Sequence, residues 1–315
     1  MNGRTAPGQS VLDVIGHTPI VRLARLDAEL GRELYVKLEN LNPGGSHKVR
    51  IALSMVLDAE REGILQRDRG QTIIESTGGN TGIGLAMAAA ILGYRLVLVI
   101  PDNYSPAKQK LLQRYGAEIV LSDHTLGNNS HADLALQMLF DNPDWVMLNQ
   151  QANPANPLIH EQTTALEILE TFDGVAPDAM VAGVGTGGHI TGIGRVLRKH
   201  NPALRIAAVV PEGCSLFENR FVTHDIQGLA VGLVPAVLEL DLVDEELSVG
   251  YPDAVAMVSR LMRTEAIAVG VSSAANVVAA SRYALSLPSG SRVLTFAYDG
   301  VQDYLYMLDD LDEDG

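Results

Sequence analysis

The run Asn42-Pro43-Gly44-Gly45-Ser46-His47-Lys48-Val49-Arg50 sets a lysine directly behind a turn-forming Pro-Gly-Gly. A strand-like stretch, Leu34–Leu38, precedes it. Apolar Ile51, Leu53, Met55, Val56 and Leu57 predict a helix after it. A lysine at a helix's first turn meets free amide N–H groups and the positive end of the helix dipole. That setting disfavours the ammonium and lowers its pKa. A neutral amine is what carbonyl chemistry requires, Schiff-base formation included. Of the chain's five lysines only Lys48 follows a glycine loop: Lys108 and Lys110 lie in a polar helix, Lys199 ends one, and Lys37 is in the strand. The competing reading is a solvated lysine on a first turn.

Two further glycine-rich loops each follow a strand-like run and open a helix. Ser76-Thr77-Gly78-Gly79-Asn80-Thr81-Gly82 offers backbone N–H groups, two threonine hydroxyls and an amide, which suit a carboxylate or a phosphate. An ordinary tight turn would explain the glycines but not the hydroxyls. Gly183-Val184-Gly185-Thr186-Gly187-Gly188-His189 is an anion nest by composition. Gly183, Gly185 and Gly188 also satisfy G-x-G-x-x-G, with Glu212 after the next strand, which keeps a dinucleotide-dependent oxidoreductase as a rival reading.

The elements that must position these loops alternate along the chain. Strands are predicted at 71–75, 96–100, 118–121, 146–148, 179–182, 205–210, 268–269 and 292–296. Helices are predicted at 83–92, 105–115, 131–139, 161–172, 192–200, 252–264 and 274–284. Strands alternating with helices imply right-handed crossovers and mostly parallel sheet, with the loops lining a crevice at the strands' carboxyl ends. The 315 residues suffice for two α/β domains, and 47% hydrophobic residues for a sizeable core. Asn153-Pro154-Ala155-Asn156-Pro157 is a break that suits a domain crossover. A formal net charge of −15 argues against a nucleic-acid surface. The single cysteine, Cys214, excludes an internal disulfide framework and reads as a small core residue. No signal pattern and no apolar run of membrane-spanning length is present, so a cytoplasmic protein, with no metal site and no membrane partner, is expected.

Taken in order, the motifs resemble the cysteine synthase and cystathionine β-synthase family from Val11 to about Leu305. These are pyridoxal 5'-phosphate (PLP) enzymes with the fold of the tryptophan synthase β-subunit. Ile15–Leu23 is similar to the family's I-G-N-T-P-L-V-R-L, and Asn42–Arg50 to its N-P-G-G-S-x-K-D-R. Glu75–Gly82 looks like E-x-T-S-G-N-T-G, Asn149–Pro157 like N-Q-F-x-N-P-A-N-P, and Gly183–Gly192 like G-V-G-T-G-G-T-I-T-G. Ile226-Gln227-Gly228 and Val269–Ser273 match as well. The resemblance implies two three-layer α/β/α domains with mostly parallel sheets: a smaller one at 40–152, a larger PLP-binding one at 11–39 plus 153–305, and an acidic tail at 306–315. It implies that Lys48 holds the cofactor as an internal aldimine and acts as general base. Thr77, Gly78, Gly79, Asn80, Thr81, Gln150 and Gly228 would meet the substrate, with Asn80 also on the cofactor's ring hydroxyl. Gly185, Thr186, Gly187, Gly188 and His189 would take the phosphate.

Four positions depart from the family pattern. Gly78 stands where serine is usual, His189 where threonine is, and Ala274 where glycine is. In Ala297–Leu305 the family's P-x-S-x-R-x-Y-L places a serine on the pyridine nitrogen, and the natural alignment puts Gly300 there. Asp299 is the neighbouring candidate; as part of an Asp-Gly pair it reads as a solvated turn residue. The function implied is β-replacement on an activated L-serine through an aminoacrylate, cysteine synthase first, by a homodimer. Cystathionine β-synthase, a specialised β-substituted-alanine synthase, or a non-catalytic family member are the alternatives within the fold.

Overall fold

The computed structural model describes residues 8–126 and 130–305, apart from the Asp303 side chain; the acidic tail at 306–315 lies outside them. In chain order the elements are β1 (Ile20–Arg22), α1 (Ala24–Leu30), β2 (Glu33–Leu38), α2 (Lys48–Arg61), β3 (Thr72–Glu75), α3 (Asn80–Leu92), β4 (Arg95–Pro101), α4 (Pro106–Arg114), β5 (Glu118–Ser122), α5 (Ser130–Asp141) and β6 (Val146–Met147). There follow α6 (Ala155–Ile159), a π-helical turn (His160–Thr164), α7 (Ala165–Thr171), β7 (Ala179–Gly183), α8 (Gly188–His200), β8 (Arg205–Pro211), β9 (Glu245–Val249), α9 (Tyr251–Glu265), α10 (Val271–Ala284) and β10 (Arg292–Ala297).

The chain packs as two units. One comprises Lys48–Asn156 with the N-terminal stretch up to Ile15; the other comprises Gly16–His47 and the chain from Pro157 onward. The first unit is built on a four-stranded sheet, β5-β4-β3-β6, in which every pairing is parallel. Its central strands are buried: β3 along its whole length, and the apolar run Leu96–Ile100 of β4 without interruption. Buried positions run all round α3, which is why it shows no polar stripe.

The second unit is a six-stranded sheet in the order β1-β2-β10-β7-β8-β9. Only β1 runs antiparallel to its neighbour. Its core draws on β7, β8, β10, α8, α9 and α10. Cys214 is buried there, as expected of a small core residue. Both sheets fit the expected α/β class.

Several elements depart from the sequence reading. β1, α1 and β9 were not expected. β1 is three residues long, and β9 is an edge strand opening on Glu245 and Glu246, so neither carries an apolar run. Residues 268–269 form no strand; they connect α9 to α10. Helix α8 starts at Gly188 rather than 192, because its glycines meet packing demands that offset their poor helix propensity. A Cβ on Gly192 would fall 2.2 Å from the Pro157 carbonyl oxygen. The helix expected from Glu161 starts at Ala155, inside the Asn-Pro break, and passes through the π-turn before α7. Among the described residues no helix is long and apolar enough to cross a membrane.

Candidate active site

Lys48 is the first residue of α2. The turn ahead of it needs left-handed backbone at Gly44 (φ 80°) and Gly45 (φ 75°), which glycine adopts without steric cost. Burial pulls the Lys48 ammonium down to about 8. That shift runs against the solvated-lysine reading and leaves a minor share of the side chain as the free amine at neutral pH. Its helix is held by α3: a Cβ on Gly84 would lie 2.7 Å from Ala52 Cβ, 3.0 Å from Val49 Cα and 3.2 Å from the Lys48 carbonyl oxygen. The bare Cα of Gly84 thus sets how closely the first turn of α2 approaches.

The second loop, Thr77–Thr81, lies in the same unit, between β3 and α3. Gly79 is the N-cap of α3 and supplies no side-chain cap. The first amides of this 13-residue helix thus have no intrahelical acceptor. The structure brings Gln150 to this loop: Thr81 Oγ1 donates to Gln150 Oε1 at 2.6 Å, which leaves the Gln150 amide N–H₂ as donor. Asn156 Nδ2 donates to the Gln150 carbonyl at 2.7 Å. One residue escaped the sequence reading as a group with a task. Glu75, at the end of β3, is buried and accepts from Asn149 N at 3.0 Å. Asn149 carries a positive φ of 53°, so Glu75 braces the strained turn that delivers Gln150. Burial raises the Glu75 carboxyl to about 7 against these backbone donors.

In the second unit, Gly185–His189 joins β7 to α8. Gly187 is the N-cap with φ 82°, and again no side chain caps the helix. A Cβ on Gly185 would fall 2.3 Å from the Gly228 carbonyl oxygen, and one on Gly187 would fall 2.6 Å from Leu238 Cβ. Gly185 and Gly228, far apart in sequence, are therefore in backbone contact. The His189 imidazole is buried in a ring cage, edge-on to Phe296 at 4.4 Å and to His160 at 4.8 Å, with Tyr298 at 5.2 Å and His47 at 5.4 Å. No sequence motif announced this cage, since its five rings come from four separate segments.

Tyr298 and Asp299, just past β10, are zipped to the dipeptide that precedes Lys48 in the chain. His47 N donates to Tyr298 O at 3.0 Å, and Ser46 bridges Asp299 in antiparallel register. Tyr298 N donates to Ser273 Oγ at 2.8 Å and its phenol to Gly183 O at 2.9 Å. Burial pushes that phenol's pKa up. The expectation that Asp299 is a solvated turn residue is overturned: it is 4% exposed and accepts from the Tyr304 hydroxyl at 2.7 Å. The bridge to Ser46 pulls it inward, which a local Asp-Gly signal could not show. Gly300 is extended (φ −91°, ψ 164°) and opens a short 3₁₀ turn.

Each of two parts suits one end of an aldehyde-bearing phosphate ester. The Gly185–Gly188 cradle presents bare backbone to an anion at a helix N-terminus, where side chains at Gly185 and Gly187 would collide. Lys48 is an amine readied for a carbonyl. The family model described as pyridoxal-phosphate dependent enzyme matches residues 11–299, and the chain belongs to that family. Gly183–Gly188 is thus a loop of a PLP enzyme and not a dinucleotide fingerprint. The chain is 42% identical over 307 residues to O-ureido-L-serine synthase of Streptomyces lavendulae, covering 96% of this chain and 94% of that one. It is 39% identical over 309 residues to a cysteine synthase of Staphylococcus aureus, covering 96% and 99%. A solved O-ureido-L-serine synthase superposes with a TM-score of 0.93 at 41% identity, covering 98% of each chain. The chain is a PLP-dependent enzyme of β-replacement on serine-type substrates.

Proposed function

We propose that the enzyme exchanges the β-substituent of an O-acylated L-serine for a small nucleophile, with O-acetyl-L-serine and sulfide as the leading pair and cysteine as the product. The observation that carries this reading is the Thr77–Thr81 loop with Gln150, a set of neutral donors at an uncapped helix N-terminus that suits an α-carboxylate. PLP supplies the electron sink for the substrate's Cα electrons. Lys48 would hold the cofactor, then take and return the Cα proton; a pKa near about 8 suits both tasks. Asn80 would face the cofactor's ring hydroxyl. Gly185, Thr186, Gly187, Gly188 and His189 would hold the phosphate, and Gly228 would border the substrate. Asp299 or Gly300 would face the ring nitrogen. The working assembly in this reading is a homodimer.

A second reading is favoured by the 42% identity to O-ureido-L-serine synthase. A product of that name requires the oxygen of hydroxyurea as the attacking atom in a β-replacement. Steady-state assays with O-acetyl-L-serine and either sulfide or hydroxyurea separate the two. The cysteine reading expects kcat/KM to be larger with sulfide, and a larger value with hydroxyurea replaces it. Turnover with neither nucleophile would sink both.

A further inference from the structure

The geometry points to Tyr104 as a binding residue for the substrate's α-carboxylate, paired with Gly78; this rests on the carboxylate reading of the Thr77–Thr81 loop. Gly78 is buried, and a Cβ built on it would fall 2.8 Å from Tyr104 Cε1, 3.1 Å from Tyr104 Cζ and 2.8 Å from Ile100 Cγ2. Real Cβ atoms do not approach so closely, so the ring occupies the space that a side chain at position 78 would need. The phenol then runs on along the loop. Its oxygen lies 3.7 Å from where a Cβ of Gly79 would stand, at the N-cap of α3. The tyrosine is anchored from its own side: Tyr104 N donates to Pro101 O at 3.0 Å and Tyr104 O accepts from Gln109 Nε2 at 2.9 Å. The ring is therefore delivered by the β4–α4 connection and not by the loop itself.

The pairing gives the departure at Gly78 a physical meaning. A loop of the family pattern carries a serine hydroxyl at that position. This chain removes the side chain and brings a hydroxyl to the neighbouring residue from another segment. A phenol O–H donates to a carboxylate as a serine O–H does, and hydrogen bonds to a charged acceptor are the stronger kind. Its longer reach and flat ring also wall the loop, so the exchange narrows the space beside the carboxylate.

The test measures the dissociation constant of L-serine and of O-acetyl-L-serine from the cofactor-loaded enzyme by the cofactor's absorbance change. Tyr104→Phe keeps the ring and removes the hydroxyl. It is expected to weaken both amino acids about tenfold or more, with the absorbance of the amino-acid-free enzyme unchanged. Tyr104→Ala is expected to bind as poorly, since it removes the same hydroxyl. Gly78→Ser beside the native tyrosine should also impair binding. Unchanged affinity in Tyr104→Phe overturns the assignment while leaving the carboxylate loop standing. A wild-type enzyme that keeps its cofactor yet responds to neither amino acid overturns the loop reading and this one with it.

Discussion

Two ionisable groups of the first unit, half-buried Lys48 and buried Glu75, have pKa values moved toward neutrality. With its ammonium lowered to about 8, Lys48 should capture PLP in proportion to its free-amine fraction. Cofactor uptake by the apo-enzyme, followed by absorbance, should rise about tenfold per pH unit below about 8 and level off above it. A rise continuing toward pH 10 would mean an ordinary lysine. Lys48→Ala should leave no borohydride-reducible link to PLP; a link that persists places the attachment elsewhere. Glu75 acts in the opposite sense. Its carboxyl is raised from 4.5 to about 7, so the folded chain keeps a proton that the unfolded chain has released in that window. Folding stability should therefore fall as pH rises from 4.5 to about 7, by roughly 3 kcal/mol if the whole effect is expressed. Glu75→Gln should flatten this dependence in urea titrations across the window. Parallel curves for the two proteins would show that the brace does not titrate there.

At the scale of elements, glycine sets how closely helices and loops approach. Gly84 lets α3 lie against the first turn of α2, and Gly185 lets the β7–α8 loop touch Gly228. Gly84→Ala should cost about 1–3 kcal/mol, the usual cost of overpacking. Because the collision reaches the Lys48 carbonyl and Val49 Cα, the same variant should also slow PLP uptake. A variant as stable as wild type with normal uptake would show that α2 and α3 slide apart freely. The elements most exposed to misreading were those whose apolar signal is short or whose glycines look like loop. Helix α8 is the clear case: its first turn, Gly188–Thr191, reads as loop by composition yet is helical and buried. In contrast, β4 and α10 were legible because buried parallel strands and core helices carry long apolar runs.

For the whole molecule, the expected assembly is a homodimer. Light scattering at micromolar concentration should give twice the 33.7 kDa chain mass, and a species of 33.7 kDa alone would rule the dimer out.

The sequence by itself determined the α/β class and pointed to two glycine-rich loops as anion sites and to Lys48 as the amine. These rest on local chemistry: a glycine turn before a helix, hydroxyls beside bare amides, and strands and helices alternating with their own periods. Tertiary structure decided what depends on residues distant in the chain. It paired Gly78 with Tyr104, braced Gln150 through Glu75, and brought Gly228 onto Gly185. It drew Asp299 inward against Ser46 and Tyr304 and caged His189 among four rings. Such pairings arise when separated segments compete for the same space and the same hydrogen-bond partners. No residue type or spacing announces them, because each partner taken alone looks like an ordinary turn residue or an ordinary core side chain.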